Sequence, residues 1–276
     1  MKNSFGQMLC EWRAFRRTSQ LDVALAAGAS QRHVSFVESG RAQPSRAMIL
    51  KLAAGLDLPL RARNDLFLAA GYAPVYAERR LDLAEMSGAR NALELILRRH
   101  EPFPAIVTDA RWNIMMQNTA VARIVGSCVE ADALARMSLG GALNFMRLMF
   151  AADGLRPCIA NWPDTRAALL GRLRREAAAN PLSPSGELLR ELDDDASATR
   201  LAVDERPIDP MLALELRVGD ERIRLFSTFA TFGTPQDVTL QELRIDMSFP
   251  ADEPTRRWFE SAGADAALGR QAPAGK

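Results

Sequence analysis

Residues 19–45 contain the pattern that decides the fold of the first part of the chain; they read SQLDVALAAGASQRHVSFVESGRAQPS. Ser19 and Ser30 each precede a short stretch with apolar residues at helical spacing, and serine is a favoured helix N-cap. Gly28 stands between the two stretches, where glycine adopts the positive φ of a tight turn at little cost. The pattern therefore predicts two helices joined by a sharp turn, residues 20–27 and 31–39.

The sequence on either side of this pair predicts three more short helices. Apolar residues recur near helical spacing before it, and proline and serine stand where helices begin after it. The predicted ranges are residues 5–17, 45–55 and 59–71. Short turns between all of these segments predict a compact five-helix bundle.

The charge of the chain is unevenly distributed. Residues 1–80 hold twelve Lys and Arg against six Asp and Glu, whereas the remainder holds 23 against 28. A basic module joined to an acidic one predicts that only the first meets a polyanion such as DNA.

Residues 5–70 resemble the helix-turn-helix domains of phage repressors, the Cro-like or XRE family. The resemblance rests on Gln20, Ala24, Gly28, Ala29, Ser30, Val34 and Val37, followed by Glu38-Ser39-Gly40-Arg41 and Pro44-Ser45. It implies a lambda-repressor-like bundle that binds double-stranded DNA. Arg13 and Glu38 occupy positions where the family often has a buried ion pair, between the first helix and the recognition helix.

In such a domain the N-terminal end of the second helix of the motif enters the major groove. The residues expected to face base edges are Gln31, Arg32, Ser35 and Phe36. Glutamine pairs with adenine, arginine pairs with guanine, and an aromatic ring packs on the thymine methyl group. The family positions that contact phosphate are occupied here by Gln20, Arg41 and Ser45, which would fix the register without reading sequence.

The second part of the chain has the pattern of a mixed α+β domain. A connector over residues 73–90 follows the DNA-binding domain of residues 1–72. Asp109, Ile114, Asn118 and Ala120 resemble the opening strand-turn-strand-helix pattern of PAS domains, so a PAS-like domain is expected over residues 91–255. Strands are predicted at 104–108, 112–117, 212–218, 223–229 and 243–249, with helices from Asn118 and at about 144–151, 159–179 and 185–193. Strict alternation in the last three strands indicates an antiparallel sheet covered on one face. The usual turn glycine of PAS domains is replaced by Trp112, and residues 256–276 are expected to form a disordered tail.

Residues 66–255 also resemble the MmyB-like ligand-binding regulators. The matching stretches are Leu68–Pro74, His100–Ala105, Gly154–Pro157 with Asn161-Trp162, Leu225–Thr228, Phe232–Pro235, Asp237–Leu240 and Glu242–Ile245. The resemblance implies a Cro-like head on a PAS-like sensor that binds a fatty acid or another small apolar ligand.

Methionines and aromatic residues suggest where such a ligand would lie, because flexible methionine side chains adapt to apolar guests. The expected pocket residues are Met116, Met146, Met149, Phe150, Trp162, Leu225, Phe229 and Met247. Arg147 and Asn161 are the candidates for holding a head group. An ordinary structural role remains the alternative for each of these residues.

Other classes of function find less support. The sequence contains no phosphate loop, nucleophile elbow or metal constellation, so an enzyme is not expected. No metal or cofactor is expected either; the one bound molecule expected is a fatty acid or a similar apolar ligand. A thiol switch through Cys128 or Cys158 is an alternative, although neither is expected to have a nearby resolving cysteine. Control by a protein partner, without a small ligand, is another.

The expected assembly and location complete these predictions. No apolar segment is long enough to span a bilayer and no signal peptide begins the chain, so a cytoplasmic protein is expected. One domain of this kind buries too little surface for tight specific binding, so a homodimer on a palindromic operator is expected.

Overall fold

A computed structural model describes residues 4–138, 141–180, 183–193 and 213–268, with side chains as far as residue 261. The chain forms two compact units. We call Met1–Leu83 with Phe232–Gln241 the head unit, and Ala84–Thr231 with Glu242–Lys276 the sheet unit.

The head unit contains the predicted helices: α1 (Phe5–Phe15), α2 (Gln20–Ala26), α3 (Gln31–Glu38), α4 (Arg46–Gly55) and α5 (Leu60–Ala69). Serines cap the first four, because the hydroxyl groups of Ser4, Ser19, Ser30 and Ser45 each accept a hydrogen bond from the backbone N–H three residues later. Each such cap satisfies one of the N–H groups that a helix leaves unpaired at its start.

The core of the head unit is apolar. Its fully buried side chains include Leu9, Val34, Ile49, Leu52, Leu66 and Phe67. Gly28 has a φ of 61° between α2 and α3, as the turn requires. Gly6 permits a second close approach, because a Cβ at this position would overlap the backbone carbonyl of Glu38. The backbones of α1 and α3 are therefore in direct contact.

The sheet unit has five strands within the described part of the chain: β1 (Ala105–Thr108), β2 (Ile114–Gln117), β3 (Leu214–Val218), β4 (Glu221–Ala230) and β5 (Arg244–Pro250). They form one antiparallel sheet in the order β2-β1-β5-β4-β3. Its helices are α6 (Ser87–His100), α7 (Thr119–Cys128), α8 (Ala131–Ser138), α9 (Phe145–Phe150), α10 (Trp162–Ala179) and α11 (Ser185–Leu192). Two strands, then a group of helices, then three strands make this a PAS-like domain, as the sequence predicts.

The register of the strands defines two faces of the sheet. Leu225, Ser227 and Phe229 of β4 lie directly opposite Pro250, Ser248 and Asp246 of β5. We call the face that carries these residues the inner face, since Leu225 belongs to the buried cluster that includes Leu148 and Met149 of α9. Residues that alternate with them lie on the opposite face.

Three helices of the described residues were not predicted: α8, α12 (Val238–Glu242) and α13 (Glu253–Leu268). The expectation of a disordered tail from residue 256 is wrong as far as residue 268, because α13 contributes the completely buried ring of Phe259 to the core. The boundary also differs from the predicted one, because the head unit extends to Leu83 and includes residues 232–241.

Candidate functional sites

The N-terminal end of α3 presents the residues expected to read bases. Gln31 and Arg32 are exposed, whereas Ser35 and Phe36 are half-buried on the next turn. The Arg32 guanidinium lies 5.2 Å from the centre of the Phe36 ring, so the two side chains pack together. Buried Val34 fixes the opposite side of the helix against the core. A polar, cationic helix end therefore faces away from the head core.

A hydrogen-bonded cluster around Glu38 holds α3 in place. Arg13 donates from Nε to Glu38 Oε1 at 2.7 Å and from Nη2 to Oε2 at 3.2 Å, which is the predicted ion pair. The hydrogen bonds that Arg13 donates to Glu38 raise the pKa of Arg13. Gln20 Nε2 also donates to Glu38 Oε2, at 2.7 Å. An amide nitrogen has two hydrogens, so Gln20 retains one for the predicted phosphate contact.

The other predicted phosphate residues lie on the surface of the head unit. Arg41 and Ser45 are both exposed, after α3 and at the start of α4. The Ser45 hydroxyl accepts a hydrogen bond from Met48 N at 3.2 Å, so it caps α4 and remains able to donate its own hydrogen.

Residues Phe232–Gln241, which we call the arm, belong to the head unit although they connect β4 to β5. Asp237 of the arm pairs with Ala77 in a parallel bridge, and Val238 N donates to Ala77 O at 2.8 Å. Asp237 is only 4% exposed and its Oδ2 accepts from Arg79 Nη1 at 3.1 Å. The arm is thus held by backbone pairing and by a largely buried carboxylate.

A second contact joins the arm to the beginning of α5. Pro59 is the N-cap of that helix and makes no side-chain capping hydrogen bond. Gln241 Oε1 accepts from Leu60 N at 2.7 Å and supplies the missing cap from the arm. The arm therefore completes a helix of the DNA-binding bundle.

The predicted pocket residues separate into two groups. Leu225 and Phe229 lie on the inner face, and Met146 and Met149 of α9 are completely or almost completely buried. The rings of Phe150 and Trp162 meet edge to face at 5.0 Å beside the same core. Met116 and Met247 pair with Val107 and Thr228, so they lie on the opposite face. One pocket against the sheet cannot contain both groups.

Arg147 and Asn161, the predicted head-group residues, both have partners within the sheet unit. Arg147 donates to both carboxylate oxygens of Glu191 at 2.8 Å. Asn161 donates to Ala213 O at 2.8 Å and accepts from Glu215 N at 3.0 Å, which joins α10 to β3. These contacts give each residue a structural role.

A different set of polar residues lies on the inner face, and we call Arg172, Glu176, Arg244 and Asp246 the polar cluster. Glu176 of α10 accepts from Arg172 Nε at 3.2 Å and lies 3.3 Å from Arg244 Nη1. It also accepts from Trp112 Nε1 at 3.1 Å. Trp112 itself is buried with a φ of 66°, at the turn where PAS domains usually have glycine. The cluster thus places two cations and two carboxylates between a helix and a sheet.

Comparison with known families identifies both parts of the chain. Residues 13–62 match a helix-turn-helix family, and residues 89–262, more than half of the chain, match the MmyB-like transcription regulator ligand binding domain. The chain belongs to the MmyB-like family. It is therefore a transcription regulator with a helix-turn-helix DNA-binding domain and a ligand-binding domain. The comparison with curated proteins found no significant match.

Three solved structures resemble this MmyB-like chain. The restriction-modification controller protein C.AhdI from Aeromonas hydrophila is 39% identical over 21% of this chain and 89% of its own, with a TM-score of 0.21. The PAS domain of BvgS from Bordetella pertussis is 13% identical over 64% of this chain and 98% of its own, with a TM-score of 0.27. An RNA-binding Light-Oxygen-Voltage receptor is 12% identical over 95% of this chain and 63% of its own, with a TM-score of 0.28.

The sequence analysis did not predict the polar cluster of this MmyB-like chain, although the spacing of its charged residues indicated each half of it. Arg244 and Asp246 alternate with apolar residues in β5, so two charges occupy one face of a strand near the middle of the sheet. Arg172 and Glu176 are four residues apart on α10 and therefore share one side of that helix. Only the packing of α10 against β5 brings these two pairs together.

The two cysteines considered for a thiol switch are neighbours in space. Cys158 Sγ lies 3.8 Å from the carbonyl oxygen of Cys128, so the expectation that neither has a nearby cysteine is wrong. Burial, and then the hydrogen bond with Cys158, raise the pKa of Cys128 to about 12. A thiol in this environment stays protonated and reacts slowly, because the thiolate is the nucleophile.

Two general searches complete the description of the sites. Within the described residues, no helix is both long enough and apolar enough to cross a membrane. In the same part of the chain, no group of three or more His, Cys, Asp or Glu side chains has the arrangement of a metal site.

Proposed function

We propose that this MmyB-like chain binds a specific operator and that a small apolar ligand in its sheet unit sets the operator affinity. The arm is the observation that carries this proposal. It leaves the sheet after Ala230, pairs with Ala77 and Arg79 of the head unit, and returns at Arg244. The two strands that it connects are neighbours in the sheet.

Coupling through the arm follows from its covalent connections. A ligand affects DNA binding only if it prefers one conformation of the protein. A ligand on the inner face would contact β4 or β5, and any shift of these strands changes the ends of the arm. Since Gln241 caps α5, the arm transmits that change to the helix bundle.

DNA recognition by the exposed end of α3 is the second part of the proposal. Gln31 and Arg32 would contact bases directly, with Ser35 and Phe36 one turn later. Gln20, Arg41 and Ser45 would bind phosphates. We also propose that two copies bind a palindromic site in the cytoplasm, with half-sites about 34–36 Å apart.

The ligand would occupy the inner face of the sheet. Leu225 and Phe229 would form its floor, and Met146, Met149, Phe150 and Trp162 would form its walls. Met116 and Met247 lie on the opposite face, so we leave them out of the proposed pocket.

An operator selected from random DNA by the full-length protein provides the test. Its affinity would be measured with and without saturated chains of about eight to sixteen carbons that carry acid, amide or ester groups. We expect at least one of them to change operator affinity by about 5- to 150-fold. If apolar molecules bind without changing operator affinity, or none binds at all, ligand control is contradicted and control by a protein partner is favoured.

A further inference from the structure

The inner face of the sheet ends in a polar region that the apolar pocket does not explain. Asp246 lies opposite Phe229, and Ser248 lies opposite Ser227, so the four side chains share this face. Arg244 shares it too, because it is two residues from Asp246 on β5. Apolar Ile223 and Leu225 occupy the same face farther along β4. A molecule with an apolar chain and a polar end would contact the apolar part of this face with its chain and the polar part with its end.

Two atoms of the polar cluster are buried without a hydrogen bond. Asp246 is only 9% exposed, and among the described residues its Oδ1 has no hydrogen-bond partner. Arg244 Nη1 is buried as well; it lies 3.3 Å from Glu176 Oε2 but makes no hydrogen bond of suitable geometry. The charge of Arg244 is thus compensated while its N–H is not satisfied. Buried polar groups normally have partners, since leaving them unpaired is costly.

Solvent reaches the neighbourhood of these atoms from one side. The Phe229 ring is 48% exposed although it lies directly beside Asp246, and Ser227 is exposed on the same strand. The Arg172 guanidinium lies 3.2 Å from the centre of the Phe229 ring. This end of the inner face therefore lies next to solvent, with a half-exposed apolar ring beside a buried carboxylate.

The charges of the cluster restrict the ligands that fit. A carboxylate would lie beside the carboxylates of Asp246 and Glu176, and an amine would lie beside the guanidinium groups of Arg172 and Arg244. Burial raises the pKa of Asp246 to about 6, although Arg172 and Ser227 oppose the shift, so Asp246 is mainly ionised at pH 7.5. A neutral group with both a donor and an acceptor satisfies the two unpaired atoms.

We infer that the polar cluster binds the carboxamide group of an apolar ligand. The amide N–H donates to Asp246 Oδ1, the amide oxygen accepts from Arg244 Nη1, and the hydrocarbon chain extends toward Leu225. This inference rests on the proposed function and adds the chemical class of the ligand. It distinguishes an amide from the fatty carboxylate that the family resemblance implies.

Titration calorimetry of the full-length protein at pH 7.5 tests the inference with three probes of equal chain length. Decanamide offers both a donor and an acceptor, methyl decanoate offers acceptors only, and decanoate carries a charge. We expect decanamide to bind about tenfold more tightly than either of the others, because a hydrogen bond to a charged group is worth this much.

Two substitutions at Asp246 separate recognition from packing. Asp246→Leu removes the acceptor and should weaken decanamide binding about tenfold. Asp246→Asn keeps the shape and removes the charge, so decanoate should bind more tightly than it does to the wild type. Glu221→Gln, an exposed change on the neighbouring strand β4, is the matched control and should preserve the wild-type preference.

Equal or tighter binding of decanoate to the wild type would overturn the inference, as would an unchanged preference in Asp246→Leu. The absence of binding by all three probes would overturn it as well. None of these results decides the proposed function, which depends on whether any apolar molecule changes operator affinity.

Discussion

The polar residues of α3 in the head unit and those of the polar cluster in the sheet unit lie in opposite surroundings. In the head unit, apolar residues such as Phe67 fill the core, and Gln31 and Arg32 are exposed on α3. In the sheet unit, Asp246 and Arg244 lie on the covered face of the sheet with buried atoms that have no hydrogen bond within the described residues. The exposed residues of α3 lie where a polyanion reaches them, and the unpaired atoms of Asp246 and Arg244 lie where only a molecule entering the fold reaches them.

This difference indicates which unit is built for stability and which for binding. Apolar burial and serine caps stabilise the head unit, whose buried charges have hydrogen-bonded partners. Removing charges from water costs more than an imperfect ion pair returns, so the polar cluster weakens the sheet unit. A bound ligand that supplied the missing hydrogen bonds would recover part of that cost.

The largest expected effect comes from the apolar core of the head unit. Phe67→Ala should lower the free energy of unfolding of the head unit by about 3–5 kcal/mol, since it leaves a cavity in the completely buried part of the core. Urea unfolding followed by tryptophan fluorescence, to which Trp12 in the same core contributes, measures the change. Leu68→Ala, at an exposed neighbour on α5, should change it little; equal losses from both would contradict the assigned core.

The next effect concerns Asp246 and depends on pH. Its pKa is raised from 3.8 to about 6 by burial, so the folded state binds more protons than the unfolded state between these values. The free energy of unfolding therefore falls as pH rises through this window, by up to about 3 kcal/mol from this group.

Asp246→Asn removes this contribution. Its stability relative to the wild type should increase by about 3 kcal/mol between pH 4 and pH 7.5. The groups around Asp246 are Arg172 and Glu176 from α10, Arg244 on its own strand and Ser227 from β4; all of them remain in the variant. Denaturant titrations at several pH values give the difference. A constant difference would mean that Asp246 is not buried as described.

The smallest effect concerns the exposed face of α3 and should appear in DNA binding alone. Arg32→Ala should weaken binding to the selected operator by about 1–3 kcal/mol and relax the preference at one base pair. Its thermal stability should stay near that of the wild type, because Arg32 is exposed. Full operator affinity in this variant would mean that another part of α3 faces the bases.

The sequence predicted the head unit better than the sheet unit for a physical reason. The helices of the bundle are short-range structures, and residues such as Ser30 and Gly28 specify their ends locally. The Arg13–Glu38 pair was predicted because the family resemblance supplied a contact between distant positions. The polar cluster depends on α10 lying over β5, which no local pattern in the sequence encodes.

The same reasoning explains the missed arm and the missed terminal helix. Residues 232–241 match a family stretch, but nothing in those residues states that Asp237 pairs with Ala77 and Arg79. Helix α13 follows a proline and is rich in charged residues at its start, so its sequence resembles a solvated tail. Only the burial of Phe259 against the sheet unit reveals that it belongs to the core.

Reciprocal coupling through the arm tests the central claim most directly. A ligand that changes operator affinity by some factor must have its own affinity changed by operator DNA by the same factor. Asp237→Asn removes the charge that pairs with Arg79 and keeps an acceptor for Thr239 N, so the arm loses its ion pair but retains its turn and its backbone pairing with Ala77. Glu78→Gln, an exposed ion-pair residue of the head unit outside the arm, is the matched control.

The measurement is ligand affinity with and without saturating operator, for the wild type and both variants. We predict a factor of about 5 to 150 for the wild type and for Glu78→Gln, and a smaller factor for Asp237→Asn, although that variant binds ligand and operator separately. An undiminished factor in Asp237→Asn would contradict coupling through the arm.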